Sequence, residues 1–252
     1  MQKEIGWLLK EKYNGQKNKQ FYKDVERLTR AHEPLDYVIG FTEFLGCRIN
    51  LSKKPLIPRP ETEFWVGRAI NKIYSDFNDR PNQSIEILDI FAGSGCIGIA
   101  VLKHIKNSKV DFADVEDRGV GHKTIISDIF SGLPRRLRAP RNDTGYDYIF
   151  ANPPYIPEKN INLIQKSVLK FEPKKALFGG SDGLFFIRKF LKDAKNYLNP
   201  EGNIFMEFDG SASSPQVSPQ KNEIKKLAKK FDYKTCKFYK DQYGKWRWVV
   251  IT

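Results

Sequence analysis

Residues 85 to 105 constrain the fold more than any other stretch of this chain. Ile85-Glu86-Ile87-Leu88-Asp89-Ile90 is an apolar run of strand length, and it leads through Phe91-Ala92-Gly93-Ser94-Gly95 into a helical pattern from Ile97 to Ile105. The order is strand, glycine loop, helix. The alternation continues downstream, where Lys109 to Ala113, Thr124 to Ser127, Tyr146 to Ala151 and Asn203 to Phe208 read as strands. Asp182 to Leu198 is an amphipathic helix stopped by Asn199-Pro200-Glu201-Gly202, and Asn222 to Phe231 is a Lys-rich helix. Strands that alternate with helices specify βαβ units and a parallel sheet. Thr235 to Tyr239 and Trp246 to Ile251, separated by a turn at Gln242-Tyr243-Gly244, add an antiparallel hairpin at one edge. The expected class is therefore α/β, with a mostly parallel sheet of seven strands.

Ahead of the sheet, Met1 to about His32 reads as two short helices, with Ile5, Leu8 and Leu9 on one stripe and Phe21, Val25 and Leu28 on another. Phe44 to Ile57 alternates weakly about turn residues and predicts a β-hairpin. After Pro60, a helix carrying Phe64, Val66, Ile70 and Ile73 is expected to end near Asp79 to Asn82. Ser211 to Gln220, with two prolines and four serines, reads as a flexible excursion. The domain reading is a helical lead over 1–35, a hairpin linker over 36–60 and a catalytic domain over 61–252. A chain of 252 residues suits one main core.

Composition excludes several classes. No run approaches the ~18 apolar residues of a membrane span, and the start lacks a signal-peptide pattern, so a cytoplasmic protein with no membrane contact is expected. Cys47, Cys96 and Cys236 lie far apart with only three histidines, which argues against disulfides and structural metal. The formal charge of +13 fits a polyanionic neighbourhood such as a ribosome or rRNA, or simply a lysine-rich solvated surface. The basic stretch Arg135-Arg136-Leu137-Arg138-Ala139-Pro140-Arg141 is open to the same two readings.

Polar residues follow the predicted strands, where parallel sheets bind ligands. The loop Phe91-Ala92-Gly93-Ser94-Gly95 admits a ligand close to its backbone and opens a helix whose free N–H groups point at it. It lacks the third glycine of a dinucleotide fingerprint and the Gly-Lys-Ser/Thr of a phosphate loop, so neither NAD nor ATP is supported. Asp114 ends the second strand, 25 residues after Asp89, near the offset at which an acid meets ribose hydroxyls. Asp128 after Ser127 can accept from an adenine amino group; both aspartates also suit plain turns or caps.

The most specific element is Asn152-Pro153-Pro154-Tyr155 after the fourth strand. An amide or aromatic amine nitrogen is a poor nucleophile, because its lone pair is delocalised. The Asn152 side-chain oxygen and the Pro153 carbonyl can accept its two N–H bonds while Tyr155 packs on the planar group, and the prolines fix the backbone. Positioning and electrostatics then carry catalysis without a metal.

On these residues the chain resembles the HemK/PrmC-type protein-glutamine methyltransferases, which modify the Gly-Gly-Gln glutamine of peptide chain release factors. The match runs from about His32 to the C-terminus. It includes Leu56-Ile57-Pro58-Arg59-Pro60-Glu61-Thr62-Glu63, the glycine loop, Asp114, Ser127-Asp128, Asn152 to Tyr155, Phe171-Glu172-Pro173 and Ala176 to Leu184. The resemblance implies a Rossmann-like class I methyltransferase sheet and S-adenosylmethionine as cofactor. It places Phe91, Ala92, Gly93, Ser94 and Gly95 at the methionine portion, Asp114 at the ribose, Asp128 and Ile129 at the adenine, and Asn152 beside the methyl. Asn152, Pro153 and Tyr155 would be catalytic; Pro154, Glu61 and Thr62 would join them against the substrate. A release factor is the implied partner, and a monomer the expected state.

Three departures stand out. Phe91 replaces a glycine common in the family, the segment between Asp114 and Ser127 is too short for the usual helix, and the helical lead is shorter than the usual substrate-docking domain. Asn-Pro-Pro-Tyr also serves DNA adenine and rRNA guanine methyltransferases, the competing reading; Pro58 to Glu63 favours glutamine. A non-catalytic binding module is a third reading, opposed by the intact motif.

Overall fold

The structure, a computed structural model, describes residues 1–77, 84–134, 145–210 and 219–252. The lead holds helices α1 (Gln2–Tyr13), α2 (Lys19–Thr29) and α3 (Leu35–Ile39), the last unforeseen. Asn18 caps α2 by accepting from the Phe21 N–H at 2.9 Å. Leu8, Phe21 and Val38 form a small core of their own. Asp24, buried beneath them, accepts from Lys12 Nζ at 2.7 Å, Tyr13 OH at 2.6 Å and Arg27 Nη1 at 2.9 Å. Glu33 pairs with Arg27 and with Lys54, which fastens the lead to the chain beyond the hairpin.

The hairpin is β1 (Phe41–Phe44) and β2 (Cys47–Asn50), earlier than the sequence suggests. Its turn, Leu45-Gly46, has φ of 48° and 71°, the two positive values of a type I′ connection. Leucine is no turn signal. Its N–H is instead held by Glu63 Oε1 at 2.7 Å, a tertiary contact invisible in the local pattern. Pro60 then opens α4 (Pro60–Phe77) at a position where its missing N–H costs nothing. The expected helix end near Asp79 to Asn82 lies outside the described residues, as do the basic stretch 135–141 and positions 211–218 of the serine-rich excursion.

The main sheet holds seven strands among the described residues: β3 (Ile85–Ile90), β4 (Ser108–Asp114), β5 (Thr124–Ile126), β6 (Tyr146–Ala151), β7 (Leu198–Glu207), β8 (Cys236–Lys240) and β9 (Trp246–Ile251). Their order is β5-β4-β3-β6-β7-β9-β8, parallel except where β9 joins β7 and β8. Both faces are covered. Alternate residues of β3, β6 and β7 enter two separate cores: Ile87, Phe150 and Phe205 face one way, Leu88, Ile149 and Met206 the other. This is why these strands read as continuous apolar runs.

The first face carries α4 and α5 (Cys96–His104); the second carries α7 (Phe185–Asp193) and α8 (Pro219–Lys230). Gly98 lets α5 lie against β4, since a Cβ there would stand 2.3 Å from the Phe112 ring. The helix expected over Asp182 to Leu198 is shorter, and β7 begins at Leu198, before the residues read as a stop. Asn199 accounts for this by accepting from Gly145 N at 2.9 Å and donating to Asp147 at 2.8 Å, which pins the start of β7 to β6. Between β6 and α7 lie α6 (Lys166–Phe171) and short 3₁₀ turns that the sequence did not announce. Among the described residues no helix is long and apolar enough to cross a membrane.

Candidate active site

The strand order sets β5, β4, β3 and β6 side by side, so the residues at their carboxyl ends form one row: Asp128, Asp114, the glycine loop and Asn152. The crevice lies where the chain leaves β3 for β4 on one side and β6 for the other, the usual ligand site of such sheets. There a cavity of about 760 Å³ opens. It has the size of a site for a small-molecule cofactor with room for a side chain beside it.

The loop after β3 owes its shape to left-handed backbone. Phe91, Gly93 and Gly95 have φ of 63°, 54° and 76°. Phe91 is a costly residue for that conformation, by roughly 1–2 kcal/mol, yet the loop keeps its turn because the ring packs edge-on against Phe186 at 6.2 Å and Phe190 at 6.1 Å. Gly95 is needed twice, since a Cβ there would also lie 2.1 Å from the His122 ring.

His122 belongs to residues 115–123, which run without a helix between β4 and β5, as the short spacing implied. Its ring stacks on Phe112 at 4.0 Å, and burial lowers its pKa. Arg118 binds the Lys54 carbonyl at 3.2 Å, and Lys53 pairs with Asp117 at 2.9 Å, so this segment is tied to the chain after β2.

Asp114 Oδ2 accepts from Gly93 N at 2.8 Å and Oδ1 from Glu116 N at 3.2 Å. Burial pushes its pKa up, against those hydrogen bonds. Behind it, Asp89 is buried, accepts from Gly98 N at 2.9 Å, and leaves Oδ1 without a partner among the described residues. Burial pushes its pKa up to about 8. Asp128 reaches the cavity while paired with Lys189 at 3.1 Å.

Of the residues singled out by sequence, Thr62, Phe91, Ala92, Gly93, Ser94, Asp114, Asp128, Ile129, Asn152 and Pro154 line this one cavity. Gly95, Pro153, Tyr155 and Glu61 do not. Gly95 caps α5, Pro153 is buried, and Glu61 stands half-buried in the first turn of α4. Tyr155 turns its hydroxyl to Glu207 Oε1 at 2.8 Å, and its buried phenol has a raised pKa, from desolvation first and Glu207 second. A ring held this way backs the motif instead of facing the cavity.

The backbone after Tyr155 is braced by Ile156 N to Leu177 O at 3.0 Å, Gly179 N to Ile156 O at 2.9 Å and Gln220 Nε2 to Tyr155 O at 2.7 Å. Glu172 holds the opposite rim: it accepts from Ile57 N at 3.1 Å and from Arg59 Nη2 at 2.7 Å. Phe178, Phe185, Phe186, Lys174 and Glu158 also line the cavity without having been picked out singly. Glu207 was missed as well. Its signal is an acid inside the apolar run Ile204-Phe205-Met206-Glu207-Phe208.

No family model matches the chain. Three curated relatives are each described as a release factor glutamine methyltransferase. That of Clostridium botulinum is 31% identical over 240 residues, covering 91% of this chain and 79% of its own. The protein of Streptococcus pneumoniae is 30% identical over 248 residues, covering 96% and 83%. For Lactococcus lactis the values are 29% over 252 residues, 98% and 88%. A solved protein-(glutamine-N5) methyltransferase of Alicyclobacillus acidocaldarius superposes with a TM-score of 0.48 at 22% identity, covering 78% of this chain and 93% of that one.

Proposed function

Because the chain belongs to the release factor glutamine methyltransferase family, we propose that it methylates the side-chain amide nitrogen of a protein glutamine, the Gly-Gly-Gln glutamine of a peptide chain release factor. The observation that carries this reading is one cavity lined by both the glycine loop with Asp114 and by Asn152. It unites a place for a nucleoside cofactor with an acceptor for a planar N–H group. The residues fit S-adenosylmethionine: the left-handed loop puts half-buried Gly93, without a side chain, at the cavity wall, and the Asp114 carboxylate, with lone pairs beyond those given to Gly93 and Glu116, suits a ribose diol.

Bound S-adenosylmethionine supplies an electrophilic methyl group on a sulfonium. The protein's part is geometric. Asn152 Oδ1 at the cavity wall and the carbonyl of Pro153, whose ring is buried beside it, would accept the two N–H bonds of the glutamine amide and hold its nitrogen where a methyl donor could meet it, an orientation that replaces a bimolecular encounter. Electron density drawn toward nitrogen by these acceptors offsets part of its amide delocalisation. Positive charge developing on a nitrogen that takes the methyl, as the methyl–sulfonium bond breaks and S-adenosylhomocysteine is left, would be stabilised by the same two oxygens. The nitrogen then releases a proton, and no strong base is required. Phe178, Phe185 and Phe186 give the crevice an apolar wall. The lead over 1–35 serves substrate docking, the hairpin over 36–60 links it to the methyltransferase domain of 61–252, and the work belongs in the cytoplasm with translation.

The test is transfer of labelled methyl from S-adenosylmethionine to a release factor of the same organism, to its Gly-Gly-Gln glutamine variant, and to total DNA and rRNA. Label on the wild-type factor alone is expected. Label confined to nucleic acid would overturn the glutamine assignment in favour of exocyclic-amine methylation.

A further inference from the structure

Glu207 lies outside the cavity, 1% exposed at the end of β7, yet three side chains around the motif converge on it. Its Oε2 accepts from Trp65 Nε1 at 2.6 Å and from Thr62 Oγ1 at 2.7 Å; its Oε1 accepts from Tyr155 OH at 2.8 Å. Thr62 Oγ1 in turn faces Asn152 Nδ2 at 3.5 Å, a long contact. We propose that Glu207, acting through Thr62, is a positioning residue that fixes which way the Asn152 carboxamide faces. This rests on the amide-methylation reading above.

Single protons decide the orientation. An indole N–H can only donate, so the Oε2 that Trp65 contacts is an acceptor. Thr62 donates its one hydroxyl proton to the same oxygen. Only lone pairs of Thr62 Oγ1 remain for Asn152, and the amide group that can meet them is NH₂. Asn152 Oδ1 is thereby turned to the cavity, the orientation in which the side chain accepts an N–H from a substrate amide. In the reversed orientation Asn152 Oδ1 would face the Thr62 lone pairs, acceptor against acceptor, and its NH₂ would face the substrate N–H, donor against donor. The same carboxylate anchors Tyr155, so both ends of Asn-Pro-Pro-Tyr hang from one buried group. Burial matters because water at Glu207 would offer Thr62 another partner and leave Asn152 free to flip.

The alternation of β7 makes this possible. Phe205 belongs to the core on the α4 face, and Glu207, two residues on, points the same way, toward Thr62 and Trp65 on α4. Neither the strand nor the helix carries the relay alone.

The test uses the full-length protein with Thr62→Val, which keeps the shape and removes the hydroxyl, and Thr62→Ser, which restores it. Thr62→Ala is the second variant should valine prevent folding. Three quantities are read: kcat for methyl transfer, affinity for S-adenosylhomocysteine, and hydrogen exchange of the Asn152 side-chain amide by NMR, its signal identified by its loss in Asn152→Asp. Expected are a fall in kcat of about 100-fold, the scale on which a small misplacement of a positioning group acts, unchanged cofactor affinity, and faster exchange of the Asn152 amide in Thr62→Val. Thr62→Ser should recover both. Unaltered kcat, or an Asn152 amide whose signal and exchange do not change, would overturn the relay. If the wild-type protein leaves glutamine unmethylated, the function falls, while the NMR comparison still decides the orientation of Asn152.

Discussion

Asp114 carries the sharpest prediction about cofactor affinity. Its two oxygens each accept one backbone N–H, from Gly93 at 2.8 Å and Glu116 at 3.2 Å. A carboxylate has about four acceptor positions, so acceptor capacity remains for a ligand in the cavity that Asp114 lines. Two hydrogen bonds from ribose hydroxyls to a charged acceptor contribute about 1.5–3 kcal/mol each when removed singly. They share one carboxylate and do not add fully, so Asp114→Ala should lose about 3 kcal/mol, or roughly 150-fold in Kd. Part of any loss could come from the loop, because Gly93 N–H loses its acceptor as well. A double-mutant cycle separates the two: S-adenosylhomocysteine and its 2′-deoxy analogue are titrated calorimetrically into wild-type and Asp114→Ala protein. The analogue should bind wild type about tenfold more weakly and Asp114→Ala with almost no further loss, the non-additivity that marks a direct contact. If the two losses add, Asp114 is a brace for the loop and does not touch the ribose. Its raised pKa adds a check. Ribose donors favour the ionised form, so cofactor affinity should fall as pH drops through the Asp114 titration, and Asp114→Ala should lack that fall.

Three other outcomes follow from single contacts. Asn152→Ala should lower kcat by about 100-fold or more while S-adenosylhomocysteine binds as before; a parallel loss of binding would remove Asn152 from its assigned role. Asp89 has a native pKa near 8 against an ordinary value of 3.8, so over the interval between them the native state holds a proton that the unfolded state has lost. Its contribution to stability is thus greatest at low pH and declines by about 1.4 kcal/mol per unit as pH rises toward 8. Urea unfolding at pH 5, 6 and 7 should show this slope reduced in Asp89→Asn, and equal slopes would refute it. Glu172→Ala strands the Ile57 N–H and the Arg59 guanidinium, and should cost about 3 kcal/mol in the same assay; a change under about 1 kcal/mol would mean the rim does not depend on this pair.

Local pattern carried the middle of the sheet because its central strands are buried on both faces. Ile85–Ile90, Tyr146–Ala151 and Trp246–Ile251 appear where apolar runs of strand length predict them. It failed where a distant side chain supplied the structure: Leu45 turns the hairpin because Glu63 on α4 takes its N–H, and Leu198 opens β7 because Asn199 bonds β6. Residues 156–176 were opaque for a related reason. Short 3₁₀ turns have too few residues to show a period, and this segment is held by contacts with Gly179, Gly180 and Leu177.

By itself the sequence determined the α/β class, the glycine loop, the acids at the strand ends and the Asn-Pro-Pro-Tyr motif, since each is a matter of residue type at short spacing. Only the tertiary structure decided which of these meet. Strand order puts Asp128, Asp114, Phe91 and Asn152 along one edge and gathers ten of the foreseen residues around one cavity. It also turns Tyr155 away from that cavity and brings Glu207 under Asn152 through Thr62, across 145 residues of chain. No local period records such a contact. It exists because two elements far apart in sequence pack on the same face of the sheet, where a buried carboxylate must find donors wherever the fold supplies them.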